Sequence, residues 1–389
     1  MPLTKSRTPL AWLNLIHDPK RLLLAIAGTG FAVMLMFMQL GFRGALFDST
    51  LQLPRVLNAD LILLSPAKNT MSAKELIPSQ RLVSARGCPG VEAVWPFYIL
   101  YMRASWRNPQ TGEAAPIAVY AFDPRNPVLN LPELREHADE LLQGSRIMFD
   151  RRSKKQYGFP QRGTSSTLSD EQVEVVGTYD MGTDFISDGN LLMSDLLYRQ
   201  LFFPPLAQDD ALSSVDLGLV KLAPGSDLET VRRELRARLE SDTAILTKDE
   251  FVAQEQHFWQ TATPIGYIFG FGVALGFFVG VVICYQILYA DIADHLPEYA
   301  TLKAMGYQPT FFVSVVLTEA LIIAGLGFLP GFVSSLGLYH YLNAATGLPM
   351  ILTAARALLV LGMTIGMCGL SGCFTIRGLL ATDPAELFK

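Results

Sequence analysis

The side chains best equipped for nucleophilic or metal chemistry lie too far apart in this sequence to build a centre. The histidines, His17, His137, His257, His295 and His340, are scattered along 389 residues. Cys284, Cys368 and Cys373 fall in apolar stretches, and Cys88 stands alone in a more polar middle section. A single cysteine there forms no internal disulfide, and no CxxC pair has metal-ligand spacing. A GxxxxGK[ST] phosphate loop, a GxSxG elbow and an HExxH pair are all missing. The chain is therefore expected to hold no catalytic residue, cofactor or metal of its own, and not to be an enzyme.

Three polar features remain. Glu319 is the one acidic residue inside a long apolar run. Intramembrane carboxylates are costly and often functional. It either bonds to a neighbouring helix near the cytoplasmic end or serves a proton relay. The second feature is His295-Leu296-Pro297-Glu298-Tyr299-Ala300-Thr301-Leu302-Lys303-Ala304-Met305-Gly306, which reads as a short helix. Pro297 suits its first position and Gly306 the residue after its last turn. Glu298 and Lys303 each lie near the helix end that favours their charge. Tyr299, Leu302 and Met305 give an apolar edge that either docks into a partner or closes an interhelical turn. The third is a basic cluster, Arg151, Arg152, Lys154 and Lys155, read as a solvated face or as a contact for an acidic partner or lipid headgroups.

Four apolar stretches must position these residues. Half of the chain is hydrophobic and 17% is charged, against about 25% charged for a soluble domain. The net charge of −5 leaves no basic footprint for nucleic acid. A helix crossing the hydrocarbon core needs about 20 mostly apolar residues. Leu22 to Phe42 contains no charge, exceeds a signal-peptide core in length and lacks a cleavage site, so it is expected to stay embedded. Further spans are expected from about Pro264 to Ala290, Phe311 to Leu338 and Ala357 to Ile376. Lys5, Arg7, Lys20 and Arg21 ahead of the first span place the N-terminus in the cytoplasm, and Arg377 and Lys389 follow the last. Both termini are thus expected on the cytoplasmic face of a multi-pass inner-membrane protein. Gly266 and Gly270, and Gly272, Gly276 and Gly280, recur at four-residue spacing, as do Gly327 with Gly331 and Gly362 with Gly366. Such spacing lets helix backbones approach closely, either within one subunit or across a dimer seam.

The expected division is a cytoplasmic amphipathic segment (1–21), a first transmembrane helix (22–47) and a periplasmic α+β domain (48–261). A second helix (262–290), a cytoplasmic loop (291–309) and a third helix (310–340) follow. A short periplasmic loop (341–354), a fourth helix (355–376) and a cytoplasmic C-terminus (377–389) complete the chain. In the outer domain, Leu61–Leu64, Val91–Tyr101, Ile117–Phe122, Val173–Val176, Val215–Leu222 and Thr243–Thr247 read as strands. Asp227 to Leu239 reads as a helix, with Leu228, Val231, Leu235 and Leu239 on one stripe. A polar insertion, about 126–212, is expected to split this domain into a porter part and an inserted subdomain. The first span is expected to continue helically towards Leu53, and the second to begin near Lys248, as two stalks rising roughly 15–20 Å.

On these residues the chain resembles the FtsX/MacB-like permeases of mechanotransmitting (type VII) ABC transporters, the DevC type most of all. Pro297 to Tyr307 is similar to the family's Glu-x-x-x-Leu-[Lys/Arg]-Ala-x-Gly coupling segment, and Asp383-Pro384-Ala385-Glu386-Leu387 to its C-terminal ending. Leu10 to Arg21 resembles its amphipathic lead-in helix. The resemblance implies a homodimer bound to two copies of a separate ABC ATPase subunit, which alone would hold ATP and magnesium. Pro297, Glu298, Tyr299, Leu302, Lys303, Ala304, Met305 and Gly306 would then contact that ATPase. It further implies a periplasmic membrane-fusion adaptor (DevB-like), a TolC-like outer-membrane duct reached indirectly, contact with membrane lipids, and export of glycolipid or another amphiphile. An FtsX-like scaffold that activates a periplasmic hydrolase, and a lipoprotein-release permease, share this layout.

Overall fold

The computed structural model describes residues 10–203, 212–346 and 348–381. Helix α1 (Leu10–His17) is followed at once by α2 (Pro19–Thr50). The break falls at Asp18, whose carboxylate accepts from the backbone N–H groups of Lys20 (3.1 Å) and Arg21 (3.2 Å). Those donors have no partner inside the new helix, and Pro19 sits where its missing N–H costs nothing. Helix α2 is unbroken for 32 residues. A short helix, α3 (Gln52–Val56), follows it, with Pro54 inside it.

The middle section folds around one long sheet. Its elements are β1 (Leu61–Leu64), β2 (Ile77–Pro78), α4 (Gln80–Arg86), β3 (Val91–Arg107), β4 (Ala114–Phe122), α5 (Pro132–Leu141) and β5 (Arg146–Asp150). Then come β6 (Ser165–Leu168), β7 (Glu171–Tyr179), β8 (Asn190–Ser194), α6 (Asp195–Phe202), β9 (Ser214–Val215) and β10 (Leu217–Leu222). Helix α7 (Leu228–Arg238), β11 (Ala244–Thr247) and α8 (Lys248–Thr261) close it. The strand order is β11-β1-β10-β3-β4-β8-β5-β7-β6. Successive side chains on a strand face opposite ways, so Leu61 and Leu63 enter one core while Ile62 and Leu64 enter the other. Helices α4, α6 and α7 cover the first face through Leu82, Leu197, Val231 and Leu235. Leu53, Leu134 and Phe251 bring α3, α5 and α8 into the second.

Strand β3 joins the two parts of this sheet. Its first half pairs antiparallel with β10, and its second half pairs with β4 across a register shift between Leu100 and Ala104. Strand β4 also pairs in parallel with β8, so β3 and β4 carry one continuous sheet from β10 into the strands β5–β8. Helix α8 opens on a capping box. Thr247 accepts from Glu250 N–H, and the Glu250 side chain accepts from Thr247 N–H.

The remaining helices are α9 (Pro264–Asp294), α10 (Leu296–Ala304), α11 (Pro309–Thr346) and α12 (Ala354–Ala381). Pro264 starts α9, so it bends no helix: α8 has ended at Thr261. Among the described residues four helices, α2, α9, α11 and α12, are long and apolar enough to cross a membrane. Contacts divide the chain into two compact units, residues 1–44, 264–344 and 350–389 in one and 45–263 with 345–349 in the other. Within the first unit α2 is central. A Cβ on Gly331 would lie 2.6 Å from the Gly30 carbonyl, and one on Gly327 2.6 Å from Thr29. Gly272 faces Gln39, Gly276 faces Met36, and Gly280 faces Ala32 and Met367. All five of these glycines meet neighbours within the one chain.

Candidate coupling site

Helix α10 is the short connection between α9 and α11, and its ends are fixed by backbone geometry. The N–H groups of Glu298 and Tyr299 both donate to the His295 carbonyl at 3.1 Å. Pro297, which has no N–H to offer, occupies the second helical position. At the far end Met305 N–H donates to Thr301 and Tyr307 N–H to Leu302. Gly306 between them has φ +92°, a left-handed conformation that glycine adopts without strain.

The expected apolar edge does not stay together. Tyr299 is buried and meets Phe312 edge-on with ring centroids 5.6 Å apart. It belongs to a small core with Ile292, Val316 and Ile376, against which Leu302 is partly buried. Met305, by contrast, is 64% exposed, and Pro297, Glu298, Gly306 and Tyr307 are exposed beside it. The reason is geometric: Tyr299 and Leu302 are three apart and share the inward face, whereas Met305 follows the last helical residue. The side chains of Lys303 and Ala304 lie outside the described residues, as does the Asp383–Leu387 ending.

An ion-pair node that sequence reading missed sits next to this helix. Arg21 at the start of α2 donates through Nη2 to Asp294 Oδ2 at 2.5 Å, with Asp291 and Asp18 carboxylates each 3.9 Å away. His295 Nδ1 lies 2.9 Å from the Asp291 carbonyl oxygen, which can only accept, so Nδ1 carries a proton there. Asp291 is 4% exposed. The node thus ties the first span to the last turn of α9, one residue before α10 begins. The signal was present in Asp291 and Asp294, two acids closing an apolar run, but their partner lies 273 residues away.

The other singled-out residues stand elsewhere. Glu319 is fully buried in α11 beside Ala320 and Val316, also buried. Around Gly270, in α9, there is open space. Arg151 pairs with Asp180 (2.6 Å) and Glu133 (3.3 Å), and Lys154 pairs with Asp188, so much of the basic cluster is neutralised locally. Among the described residues no group of three or more His, Cys, Asp or Glu is placed to hold a metal ion.

Two protein families match this chain. Residues 22–238, more than half of it, match the MacB-like periplasmic core domain, and residues 265–384 match the FtsX-like permease C-terminal region. Among solved structures, the extracellular domain of the ABC-type transporter YknZ from Gram-positive bacteria is similar at 10% identity. That match covers 49% of this chain and 99% of the other, with a TM-score of 0.36. The periplasmic region of MacB from Actinobacillus actinomycetemcomitans is similar at 10% identity, covering 54% and 95%, with a TM-score of 0.37. No curated protein matches.

Proposed function

The chain belongs to the MacB-like periplasmic core domain family and carries an FtsX-like permease C-terminal region, and on that premise we propose that it relays the work of a separate ATPase to an extracytoplasmic domain. ABC-transporter permeases of this kind leave hydrolysis to an ATPase subunit. In this reading the chain lies in the inner membrane with both termini cytoplasmic, and pairs with a second copy. Helix α10 meets the ATPase, and the sheet domain works outside. Its substrate is a lipid, glycolipid or other amphiphile, handed through a DevB-like adaptor to a TolC-like duct, as the DevC-type resemblance suggests.

One observation supports this most: α10 is seated by the buried Tyr299 yet presents Pro297, Glu298 and Met305 outward. Tyr299 seats it on α11, and Arg21 joins the adjoining end of α9 to α2. A push on α10 therefore reaches three spans at once. Met305→Asp would leave Tyr299 and the small core intact while placing a charge on the outward edge. It is expected to weaken binding of the ATPase subunit by about tenfold or more, equivalent to about 1.4 kcal/mol, with membrane insertion unchanged. Undiminished co-purification and stimulated ATP hydrolysis would contradict the role given to α10. Capture by the outer domain separates the rivals: an adaptor supports export, a peptidoglycan hydrolase signalling, and a lipoprotein chaperone release.

A further inference from the structure

Where β3 changes partners, the outer domain holds a cleft of about 580 Å³. Its size falls within the range of small-molecule sites, roughly 300–1,000 Å³. The floor is aromatic. Tyr98 stacks on Tyr198 with centroids 5.5 Å apart, and Tyr198 in turn contacts Phe202 (5.4 Å) and Phe203 (5.7 Å). Leu76, 44% exposed, stands at the edge.

The back wall is built around a buried charge pair. Lys68, 1% exposed, donates to the Ala73 carbonyl and lies 3.3 Å from Asp216. Asp216 also accepts from Ile99 N–H at 2.9 Å. This pair pins the loop carrying residues 71–76 to β3 and neutralises the one carboxylate among the described residues that line the cleft. Two further cations line it, Lys74 and Arg103, both exposed and neither in an ion pair among the described residues. Their charges reach the cleft's interior. Lys74 opposes the upward push that burial gives the Asp216 carboxyl, and Arg103 does the same for the Tyr198 hydroxyl, which burial pushes up to about 12.

The backbone adds an independent sign. Met102, between Tyr101 and Arg103, has φ +57° and is 58% exposed. A left-handed, solvent-facing methionine is strained, and strain of this kind persists where a site requires it. Here it lies between Tyr101, whose side chain packs on the opposite core of the sheet and bonds Tyr120 and Asp184, and Arg103, which lines the cleft.

We propose that this cleft binds an amphiphilic anion: a single apolar chain or ring system, laid on the Tyr98–Tyr198–Phe202 floor, whose carboxylate, phosphate or sulfate head pairs with Arg103 and Lys74. Among the described residues neither cation has a counter-charge, which an anionic head would supply, and a cation would be repelled. Burying an apolar chain supplies roughly 25 cal/mol per Å², and the cationic rim selects the head. Binding here stands or falls separately from export.

The test uses the full chain in phosphatidylcholine nanodiscs, with 11-(dansylamino)undecanoate as fluorescent probe and empty nanodiscs as background. Saturable binding above background is expected, weakened at least tenfold in Lys74→Glu/Arg103→Glu. It should be unchanged in Arg135→Glu/Arg233→Glu, which makes the same charge change at exposed sites outside the cleft. Dodecyl phosphate should displace the probe, and dodecanol should need at least tenfold more. Loss of probe binding in discs containing phosphatidylglycerol would identify a bilayer lipid as the source. Displacement by dodecyl phosphate alone would identify a ligand taken from solution, and either result supports the site. Binding equal in empty discs, equal in the two double variants, or equally displaced by dodecanol overturns it.

Discussion

Tyr299 inside α10 and Met305 just beyond it show how two bulky side chains of one short connection serve opposite ends, one buried and one exposed. Tyr299→Ala empties a buried aromatic position and should cost about 3 kcal/mol or more. Met305→Ala, at a surface position, should change stability by no more than about 0.5 kcal/mol. Thermal unfolding of the two variants in detergent checks both values. A Tyr299 variant as stable as the parent would unseat the helix. A pH effect follows from the outer domain. Burial holds the carboxyls of Asp150, Asp184, Asp216 and Glu255 above the ordinary carboxylate range. The folded state therefore keeps protons that the unfolded chain has released, and stability falls as pH rises through the window between the ordinary and the raised values. Asp123, Asp227 and Asp242 are shifted down and act the other way, below that window. Resistance to heat should thus fall as pH rises through that window, and Glu255→Gln should flatten the fall. A monotonic loss of stability on acidification from neutrality would contradict it.

At the scale of elements, the helices were legible because the signals are local. Apolar length announced α2, α9, α11 and α12. Proline and glycine marked the ends of α10, and the stripe Val231–Leu235 marked α7. Partnership between elements was not legible. Glycines at four-residue spacing reveal a smooth helix face, but not what lies against it. Here Gly276 and Gly331 lie against α2, whereas Gly270 and Gly362 face open space. Gly331→Val pushes a side chain into the Gly30 carbonyl and should destabilise the helix bundle by about 1–3 kcal/mol. Gly270→Val should leave the single chain as stable as before. If the copies of the chain meet through the open face of α9, only the second substitution should lower the dimer fraction in cross-linking. Equal stability of the two variants would contradict the packing of α2 on α11. The switch of β3 between two sheet partners was hidden for a similar reason, because strand patterning records burial but not the neighbouring strand.

Taken whole, the molecule joins a sheet domain whose two faces are both buried to a set of long apolar helices. The node at Arg21 and the aromatic cleft at Tyr198 both escaped sequence reading. Each is assembled from residues more than a hundred positions apart, as Arg21 with Asp294 and Lys68 with Asp216. In the proposed relay, α10 is the point where an ATPase takes hold, on the side of the membrane opposite the sheet domain. A photoreactive amino acid placed at position 305, and separately at exposed position 135, tests this in living cells. Irradiation is predicted to join an ABC-type ATPase subunit to position 305 and never to position 135. An ATPase captured at 135, or none captured at 305 while the protein is present in the membrane, would contradict it.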